Sequence, residues 1–376
     1  MDKYTERYRI GKVPKVEVTR RSFLKGIGGL SVVLAAGTAP AFIREAGASK
    51  PRKVSFMLPW LFVGGHAFEF AARKIYWKKR GLDVSIARGY GSGAATKTVS
   101  AGKAMFAEAS PNVMVTGVAK GLDVVVIAAK IQKSPIAISC RKELGIRKPK
   151  DLEGHHLVQW VASGDAVIWP GFVRATGIDA SKVQVTNVHP SKLISTILNK
   201  QADCTGTYYV SNAPALALRT PAVHFLYADY GLQSLGPALM ARSDTIKKEP
   251  KLVQDIVDGA MEGLKLQLLE PEKAMDIYIE AKPELKTKPR ELLMTQLGNT
   301  NVLCFGQAVE KNGLGWMDPK DQKRTRDVVI KYMKPEKPPP PIEKLFTNRF
   351  AGNVKMTPAE WAKAKTWAAP YDPTKA

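Results

Sequence analysis

The segment KVSFMLPWLFVGGHAFEFAARKIYWKKRGLDVSIA, residues 53–87, decides the fold. Its first apolar run, residues 54–58, predicts a strand, and the spacing of apolar side chains over residues 67–80 predicts a helix. Gly81 then supplies a typical helix C-cap, and residues 82–87 alternate as a second strand does. A strand, a crossover helix and another strand predict two parallel neighbours in an α/β sheet.

This alternation of apolar runs and amphipathic helices continues along the chain. Further strands are predicted at residues 104–109, 124–128, 136–139, 157–161, 183–188, 204–208 and 238–241, and helices at 96–102, 112–120, 165–176, 191–200, 250–269, 271–280, 289–296 and 319–333. Two sets of β/α units followed by a helical return predict a hinged, two-lobed α/β protein with mainly parallel sheets. Its ligand cleft would lie at the carboxyl ends of the strands.

The pattern also predicts where the lobes begin and end. We expect a first lobe at residues 52–138, a second lobe at 139–237, and a return to the first lobe, with C-terminal helices, at 238–346. The last segment, 347–376, is predicted to be an extended tail. Because the stretch before it is proline-rich, from residue 334 to 341, we expect a loosely held strap there.

The first 48 residues predict the compartment. Thr19-Arg20-Arg21-Ser22-Phe23-Leu24-Lys25 precedes an uncharged run at residues 26–43 and the small-residue site Ala46-Gly47-Ala48. This order is typical of a twin-arginine secretory signal peptide, so we expect a periplasmic protein. The uncharged run could instead remain as a membrane anchor, although its glycines and Pro40 weaken a spanning helix.

Composition narrows the class of protein. Hydrophobic residues make up 45% of the 376 residues and charged residues 24%, which excludes a disordered chain, a collagen and a polytopic membrane protein. The net charge is +23, and +18 remains once residues 1–48 are removed. Such a charge permits an anionic ligand, an anionic membrane or nucleic acid as partner, and export to the periplasm argues against nucleic acid.

The cysteines are Cys140, Cys204 and Cys304. They are too few for a disulfide framework and too far apart in sequence for a Cys-x-x-Cys motif, so at most one bridge can form. An oxidising periplasm would allow a bridge between Cys140 and Cys204.

Several short motifs resemble one family. Leu58-Pro59-Trp60, His66 and Gly81-Leu82-Asp83-Val84 are similar to the first lobe of periplasmic solute-binding proteins of the sulfonate/taurine and thiamine-pyrimidine group, and to related pyrimidine-synthase enzymes. Further matches are Gly91-Ser92-Gly93, the run at 99–104, the run GIRKPKDLEG at 145–154 and KLFTNRF at 344–350. The resemblance covers about residues 52–350 and implies the type II periplasmic-binding-protein fold.

The related synthases differ from this chain at their reactive residues. They hold pyridoxal phosphate on a lysine just after the A-G-K-x-x-x segment, and they bind iron through a cysteine-rich run. The corresponding segments here read Phe106-Ala107-Glu108-Ala109-Ser110 and Leu235-Gly236-Pro237-Ala238, without lysine or cysteine. The histidines lack metal-ligand spacing. The sequence therefore predicts no enzymatic activity, no catalytic residue, no cofactor and no metal site.

Aromatic residues follow several predicted strands or begin the next helix. Trp60, Tyr90 and Tyr208 come at strand ends, and Trp169 lies one turn into a helix. We expect these four rings to wall the cleft, which suits a flat heterocycle better than taurine.

Polar candidates surround these rings. Gly91, Ser92 and Gly93 form a turn before a helix, where backbone N–H groups can bind an anion, and Ser163 and Asp165 open a helix in the second lobe. In the family, the turn at His66 faces the cleft. Glu108 ends a strand, and its carboxylate suits a ligand that carries amino groups. Weaker candidates are Asn212 and Tyr230.

These features predict the ligand-binding component of an ABC importer, a monomer that closes over a small molecule and presents the closed form to a membrane permease. We expect a small aromatic heterocycle such as a thiamine pyrimidine precursor. The alternatives are an alkyl or aryl sulfonate or another organic anion, favoured by the net charge and the glycine turn, and a sensory receptor without transport.

Overall fold

A computed structural model describes residues 50–371, which fold around two five-stranded sheets. The predicted signal peptide lies outside the described residues. The strands are β1 (Arg52–Met57), β2 (Leu82–Ala87), β3 (Phe106–Ala109), β4 (Val125–Ala129), β5 (Ile136–Arg141), β6 (His156–Gln159), β7 (Gln184–Asn187), β8 (Cys204–Tyr208), β9 (Ala222–Leu226) and β10 (Ala238–Ala241). The helices are α1 (Ala67–Ala71), α2 (Ser92–Ser100), α3 (Pro111–Ala119), α4 (Gly164–Thr176), α5 (Leu193–Leu198), α6 (Asn212–Ala217), α7 (Ser243–Lys248), α8 (Pro250–Leu269), α9 (Pro271–Ala281), α10 (Arg290–Leu303), α11 (Gln307–Asn312), α12 (Pro319–Val328), α13 (Ile342–Leu345) and α14 (Pro358–Ala368). Within residues 50–371, no helix is both long and apolar enough to cross a bilayer.

The two sheets share one plan. The first has the order β2-β1-β3-β10-β4, with β1 parallel to β2 and β3, and with β10 antiparallel between β3 and β4. The second has the order β7-β6-β8-β5-β9, with β6 parallel to β7 and β8, and with β5 antiparallel between β8 and β9. In each sheet four strands therefore run one way, and the reversed strand is the first one after the chain crosses from the other lobe. The predicted two-lobed α/β fold is confirmed.

Two crossing segments form the hinge. The first follows β4 and the second precedes β10, and they bond to each other through their backbones. The N–H of Ile131 donates to the carbonyl of Pro237 at 3.2 Å, that of Gly236 to Ile131 at 3.0 Å, and that of Ser134 to Ser234 at 3.0 Å. The connection between the lobes is thus a short two-stranded ribbon, which can bend without breaking either core.

The quoted segment packs as its pattern predicts. Phe56 of β1 and Phe68 of α1 are buried in the first-lobe core together with Trp77, which lies on a π-helical turn that extends α1. The indole N–H of Trp77 donates to the Ile256 carbonyl of α8 at 2.9 Å. Gly259 of α8 leaves room for the ring, because a Cβ there would lie 2.3 Å from the indole.

Helix α10 runs further than its pattern predicts. The prediction stops at residue 296, whereas the helix continues to Leu303. Its second half carries Asn299, Thr300 and Asn301, which are polar and buried. Apolar periodicity is therefore missing there, and hydrogen bonds satisfy the side chains instead. Strand β9 was also not predicted from the sequence.

The expectation of an extended tail is wrong. Residues 358–368 form α14, which begins with a capping box between Thr357 and Glu360. Trp361 and Ala364 are buried in the first-lobe core, and the ring of Tyr371 lies against Gly298 of α10. A helix with only a few buried side chains gives a weak apolar pattern, so the sequence signal was not recognised.

A disulfide joins Cys140 of β5 to Cys204 of β8, with an S–S distance of 2.08 Å. The two residues are direct cross-strand partners and are fully buried. The pairing that the sequence allowed is present, and Cys304 is a buried free thiol.

A buried histidine is expected to make the second lobe sensitive to acid. His224 of β9 has Nδ1 2.7 Å from the Ser139 hydroxyl, and burial lowers its pKa from 6.5 to about 4. Between these values the unfolded chain binds more protons, so this contribution to stability is lost as the pH falls. When the pH is lowered from 7 to 4.5, the free energy of unfolding of the parent protein, measured in urea, should fall. That of His224→Gln should fall by about 2–3 kcal/mol less. The control variant is His189→Gln, which replaces an exposed histidine and should lose as much stability as the parent protein over this pH range. Equal acid sensitivity of all three proteins would contradict the assignment of this effect to His224.

Candidate functional site

A cavity lies between the lobes, beside the hinge. The centre of a water-sized sphere can move through about 40 Å³ of this cavity. On the same measure, one water needs about 10–15 Å³. The cavity therefore has room for a few waters or one small organic molecule. Eight of the predicted site residues line it, namely Trp60, His66, Gly91, Ser92, Glu108, Ser163, Asp165 and Tyr208.

The first lobe supplies one wall through the turn after β1. Trp60 follows the strand end and packs across the cleft against the second-lobe cluster that includes Leu193 and Leu216. The next turn holds His66 beneath the cavity. Gln296 of α10 fixes this turn, because its Oε1 accepts the N–H of Gly64 at 2.9 Å while its Nε2 donates to the second-lobe carbonyl of Ser211 at 2.8 Å.

The glycine turn before α2 is a contact between the lobes. The N–H of Gly91 donates to the Pro59 carbonyl at 2.7 Å, and the N–H of Gly93 donates to the Ala162 carbonyl of the second lobe at 3.0 Å. Gly91 has φ +114, and a Cβ there would lie 2.1 Å from the oxygen of Ala162. The expected anion-binding role is therefore not supported at these two N–H groups, which protein carbonyls already occupy.

Tyr208 closes the cavity from the second lobe. Its hydroxyl lies 3.0 Å from the Ser110 hydroxyl and 3.3 Å from the Ser92 hydroxyl, both in the first lobe. Gly164, at the start of α4, makes room for this hydroxyl, since a Cβ would lie 1.9 Å from it. Together with the contact at Gly93, these bonds define a closed arrangement of the lobes.

Four buried ionisable residues lie at the first-lobe side of the cavity. The ammonium of Lys130 is 2.7 Å from one oxygen of Glu108 and 2.9 Å from the other. Nδ1 of His66 is 3.3 Å from Oε1 of Glu69. Lys130 also begins the hinge, because its N–H donates to the Pro237 carbonyl at 3.1 Å.

Burial controls the protonation of this cluster. Burial raises the pKa of both Glu69 and Glu108 to about 7, against the opposing charge of Lys130. Burial also lowers the pKa of His66 to about 3, so its ring is neutral at pH 7. Although burial alone would lower it, the charge of Glu108 raises the pKa of Lys130, which stays an ammonium.

A metal ion is not required by this cluster. His66, Glu69 and Glu108 each offer a ligand atom, and these atoms lie within 4.8 Å of one another. However, Lys130 already bonds to both oxygens of Glu108. A divalent cation would have to displace the ammonium, so we assign no metal site here.

Asp165 faces the cavity from the start of α4. Burial raises its pKa to about 7, and the polar groups at the start of α4 oppose that shift. Its Oδ2 has no hydrogen-bond partner. The second lobe therefore presents a carboxyl group to the cavity opposite the Glu108 and Lys130 pair.

Three predicted site residues do not line the cavity. Trp169 packs beside Phe172 in the second-lobe core. The Tyr90 side chain turns to the surface and bonds to Arg88 at 2.7 Å, while its carbonyl accepts the indole N–H of Trp160 at 2.5 Å. Gly93 makes only the lobe contact described above. The predicted wall of four aromatic rings is thus reduced to Trp60 and Tyr208.

Sequence reasoning missed Lys130, Ser110 and Gly206. Lys130 follows β4 directly. Of the three, it is the residue that the sequence could have indicated, since a charged residue at the end of an apolar strand run is unusual. Of the weaker candidates, Asn212 lines the cavity. Tyr230 belongs to the second-lobe core, where its ring meets Phe172 edge-on.

Comparison with known proteins supplies a family and a fold. A family model described as NMT1/THI5 like matches residues 65–274. No curated protein matches the sequence.

Solved structures share the architecture. The periplasmic aliphatic sulphonate binding protein SsuA from Escherichia coli aligns with a TM-score of 0.60 and 12% identity, covering 82% of this chain and 96% of that one. The alkanesulfonate-binding protein SsuA from Xanthomonas axonopodis pv. citri, bound to MOPS, aligns with a TM-score of 0.59 and 11% identity, covering 80% of this chain and 100% of that one. The periplasmic nitrate-binding protein NrtA from Synechocystis PCC 6803 aligns with a TM-score of 0.57 and 12% identity, covering 86% of this chain and 92% of that one. At such identities the likeness shows the fold alone, which is the type II periplasmic-binding-protein fold.

Proposed function

Since this chain belongs to the NMT1/THI5-like family, we propose that it is the solute-binding component of an ABC importer, acting in the periplasm. The observation that carries the proposal is the cavity between the lobes, whose lining comes from both sides of a two-stranded hinge. Ligand contacts from both lobes exist together only when the lobes are shut, so binding shifts the population toward the closed form. A permease can then recognise occupancy from shape.

The buried disulfide supports a periplasmic location. Disulfides persist in oxidising compartments and are rare in the cytosol. The bridge between Cys140 and Cys204 therefore agrees with export by the twin-arginine signal that residues 19–25 predict.

The cavity chemistry favours a small aromatic heterocycle with amino groups, such as a pyrimidine. The lining holds two carboxyl groups, Glu108 and Asp165, and its ammonium, Lys130, is already paired with Glu108. Trp60 offers an indole surface to a flat ring. Because the chain lacks a lysine at residues 106–110, we propose binding without chemistry.

A sulfonate is the second candidate. It is favoured by the net charge of +18 without residues 1–48 and by the fold shared with two sulfonate-binding proteins. A sulfonate in this cavity would meet two carboxyl groups and one paired lysine, which disfavours it. A sensory role would use the same closure, and a permease and ATPase encoded beside this gene would support transport.

Closure can be tested directly by X-ray scattering on protein lacking residues 1–48. The panel is aminopyrimidines, thiamine, riboflavin, taurine and aliphatic sulfonates, first ranked by thermal shift. A ligand at a hundredfold excess over its Kd should stabilise the protein by about 2.7 kcal/mol and reduce its radius of gyration. An unchanged radius with every tightly bound compound would exclude the closure mechanism.

Gly91→Ala is the matched variant for this experiment. Because the new Cβ would meet Ala162 only when the lobes are shut, we expect binding to weaken by at least about tenfold and the compaction to be lost. Gly145→Ala is the control, since that glycine also has positive φ but faces open space.

A further inference from the structure

Two buried polar atoms of the cavity lining have no hydrogen-bond partner within residues 50–371. They are Oδ2 of Asp165, from the second lobe, and the indole Nε1 of Trp60, from the first. One is an acceptor and the other is a donor. Buried polar groups are almost always paired, so two unpaired atoms at one small cavity call for an explanation.

The fold holds the Asp165 carboxyl group in this state. It lies at the start of α4, where Ser163 and the N–H groups of residues 165 and 166 lower its pKa against the larger effect of burial. Gly206 of β8 makes room for Oδ2, because a Cβ at that position would lie 1.8 Å from it. Leaving a buried polar atom unpaired costs about 1–3 kcal/mol, and an apolar residue at position 165 would avoid that cost. The arrangement is therefore what a binding site shows before its ligand arrives.

Asp165 lies in the first turn of α4 and lines the cavity from the second lobe. Across the cleft, Trp60 packs on Leu193 and Leu216, which limits where its ring can move. The two unpartnered atoms thus belong to cavity-lining residues of opposite lobes.

We propose that Asp165 and Trp60 determine ligand specificity by reading a donor–acceptor edge, with the ligand giving an N–H to Asp165 and accepting the indole N–H of Trp60. Neutral amino-heterocycles carry such an edge, as an amino group beside a ring nitrogen. This inference rests on the proposed function and adds the two residues that select the ligand. An aliphatic sulfonate without an amino group offers only acceptors, so it would leave Asp165 unpaired and be rejected.

The test uses two ligands of nearly equal shape, 4-amino-2-methylpyrimidine and 2,4-dimethylpyrimidine, measured by calorimetry. We expect the parent protein to bind the amino compound at least about a hundredfold more tightly, because a site built for a hydrogen bond rejects the analogue that lacks it. In Asp165→Asn the amide oxygen should turn to the α4 N–H groups and the NH₂ to the cavity. The preference should then fall to within about threefold.

Trp60→Phe keeps an aromatic ring and removes the N–H. Since both pyrimidines have ring nitrogens, we expect this variant to weaken both by a similar factor, about tenfold, and to retain the preference for the amino compound. Without ligand, Asp165→Asn should be at least as resistant to urea as the parent, whereas a purely structural aspartate would make it less stable.

The outcomes separate this inference from the proposed function. An unchanged amino preference in Asp165→Asn, or no preference in the parent, would overturn the specificity pair. If neither pyrimidine binds but taurine or another panel compound compacts the protein, the pair is wrong and solute binding stands. If no compound binds or compacts the protein, both fail.

Discussion

Replacing Lys130 by methionine is expected to lower the free energy of unfolding by about 3–5 kcal/mol at pH 7. The ammonium is buried and contacts both oxygens of Glu108. Its removal leaves Glu108 buried beside Glu69 without a cation, and breaking a buried pair costs more than the pair contributes over an apolar substitute. Chemical unfolding in urea measures the loss.

The pH dependence of this loss identifies its cause. Burial already raises the pKa of both carboxyl groups to about 7, so between pH 4.5 and 7 the native state binds more protons than the unfolded chain. Stability from these two groups therefore falls as the pH rises through that window. Without the charge of Lys130 their folded pKa values rise further, and the fall should continue above pH 7, at about 1.4 kcal/mol per pH unit for each carboxyl group.

Two variants serve as controls for Lys130→Met. The double variant with Glu108→Gln should recover much of the stability and lose the part of the extra pH dependence that comes from Glu108, while the part from Glu69 remains. Lys133→Met, three residues along, removes an exposed lysine that pairs with Asp229 at 3.3 Å and should cost less than about 1 kcal/mol. A loss that is the same at pH 5 and pH 8 would show that packing, not charge, explains the effect.

The fold was predictable where side-chain periodicity is strong. Residues 54–58 and Leu82–Ala87 were assigned from alternation and apolar runs alone, and the structure pairs them in parallel. Periodicity fails where polar residues are buried, as in the second half of α10, since hydrogen bonds replace apolar contacts. It also fails for α14, whose few buried side chains contact helices far away in sequence.

The site was predictable by position and less so by contact. Residues at or just after the carboxyl ends of strands, such as Trp60, Glu108 and Tyr208, reach the cavity because parallel strands end at one edge of each sheet. The direction of a side chain on a helix depends on helix packing, so Trp169 faces the second-lobe core instead. Pairing across long sequence distance, as between Lys130 and Glu108, leaves no local pattern.

The disulfide is expected to stabilise the second lobe by about 4 kcal/mol. Cys140 and Cys204 are 64 residues apart, and cross-linking a loop of that length restricts the unfolded chain by about this amount in the loop-entropy account. The loop contains β6, α4, β7 and α5, which is most of the second lobe and includes Asp165. The variant Cys140→Ala/Cys204→Ala should therefore unfold at lower urea concentration, with the loss concentrated in second-lobe probes such as hydrogen exchange of β6 and β8.

The free thiol gives the internal comparison for this prediction. Reductant should lower the stability of the parent protein to that of Cys140→Ala/Cys204→Ala, and it should have no further effect on that variant. Cys304→Ala removes a buried thiol of the first lobe and should keep the full response to reductant. If the double variant matched the oxidised parent to within about 1 kcal/mol, the bridge would add little to the second lobe. The stability of the Asp165 side of the cavity would then not depend on an oxidising compartment.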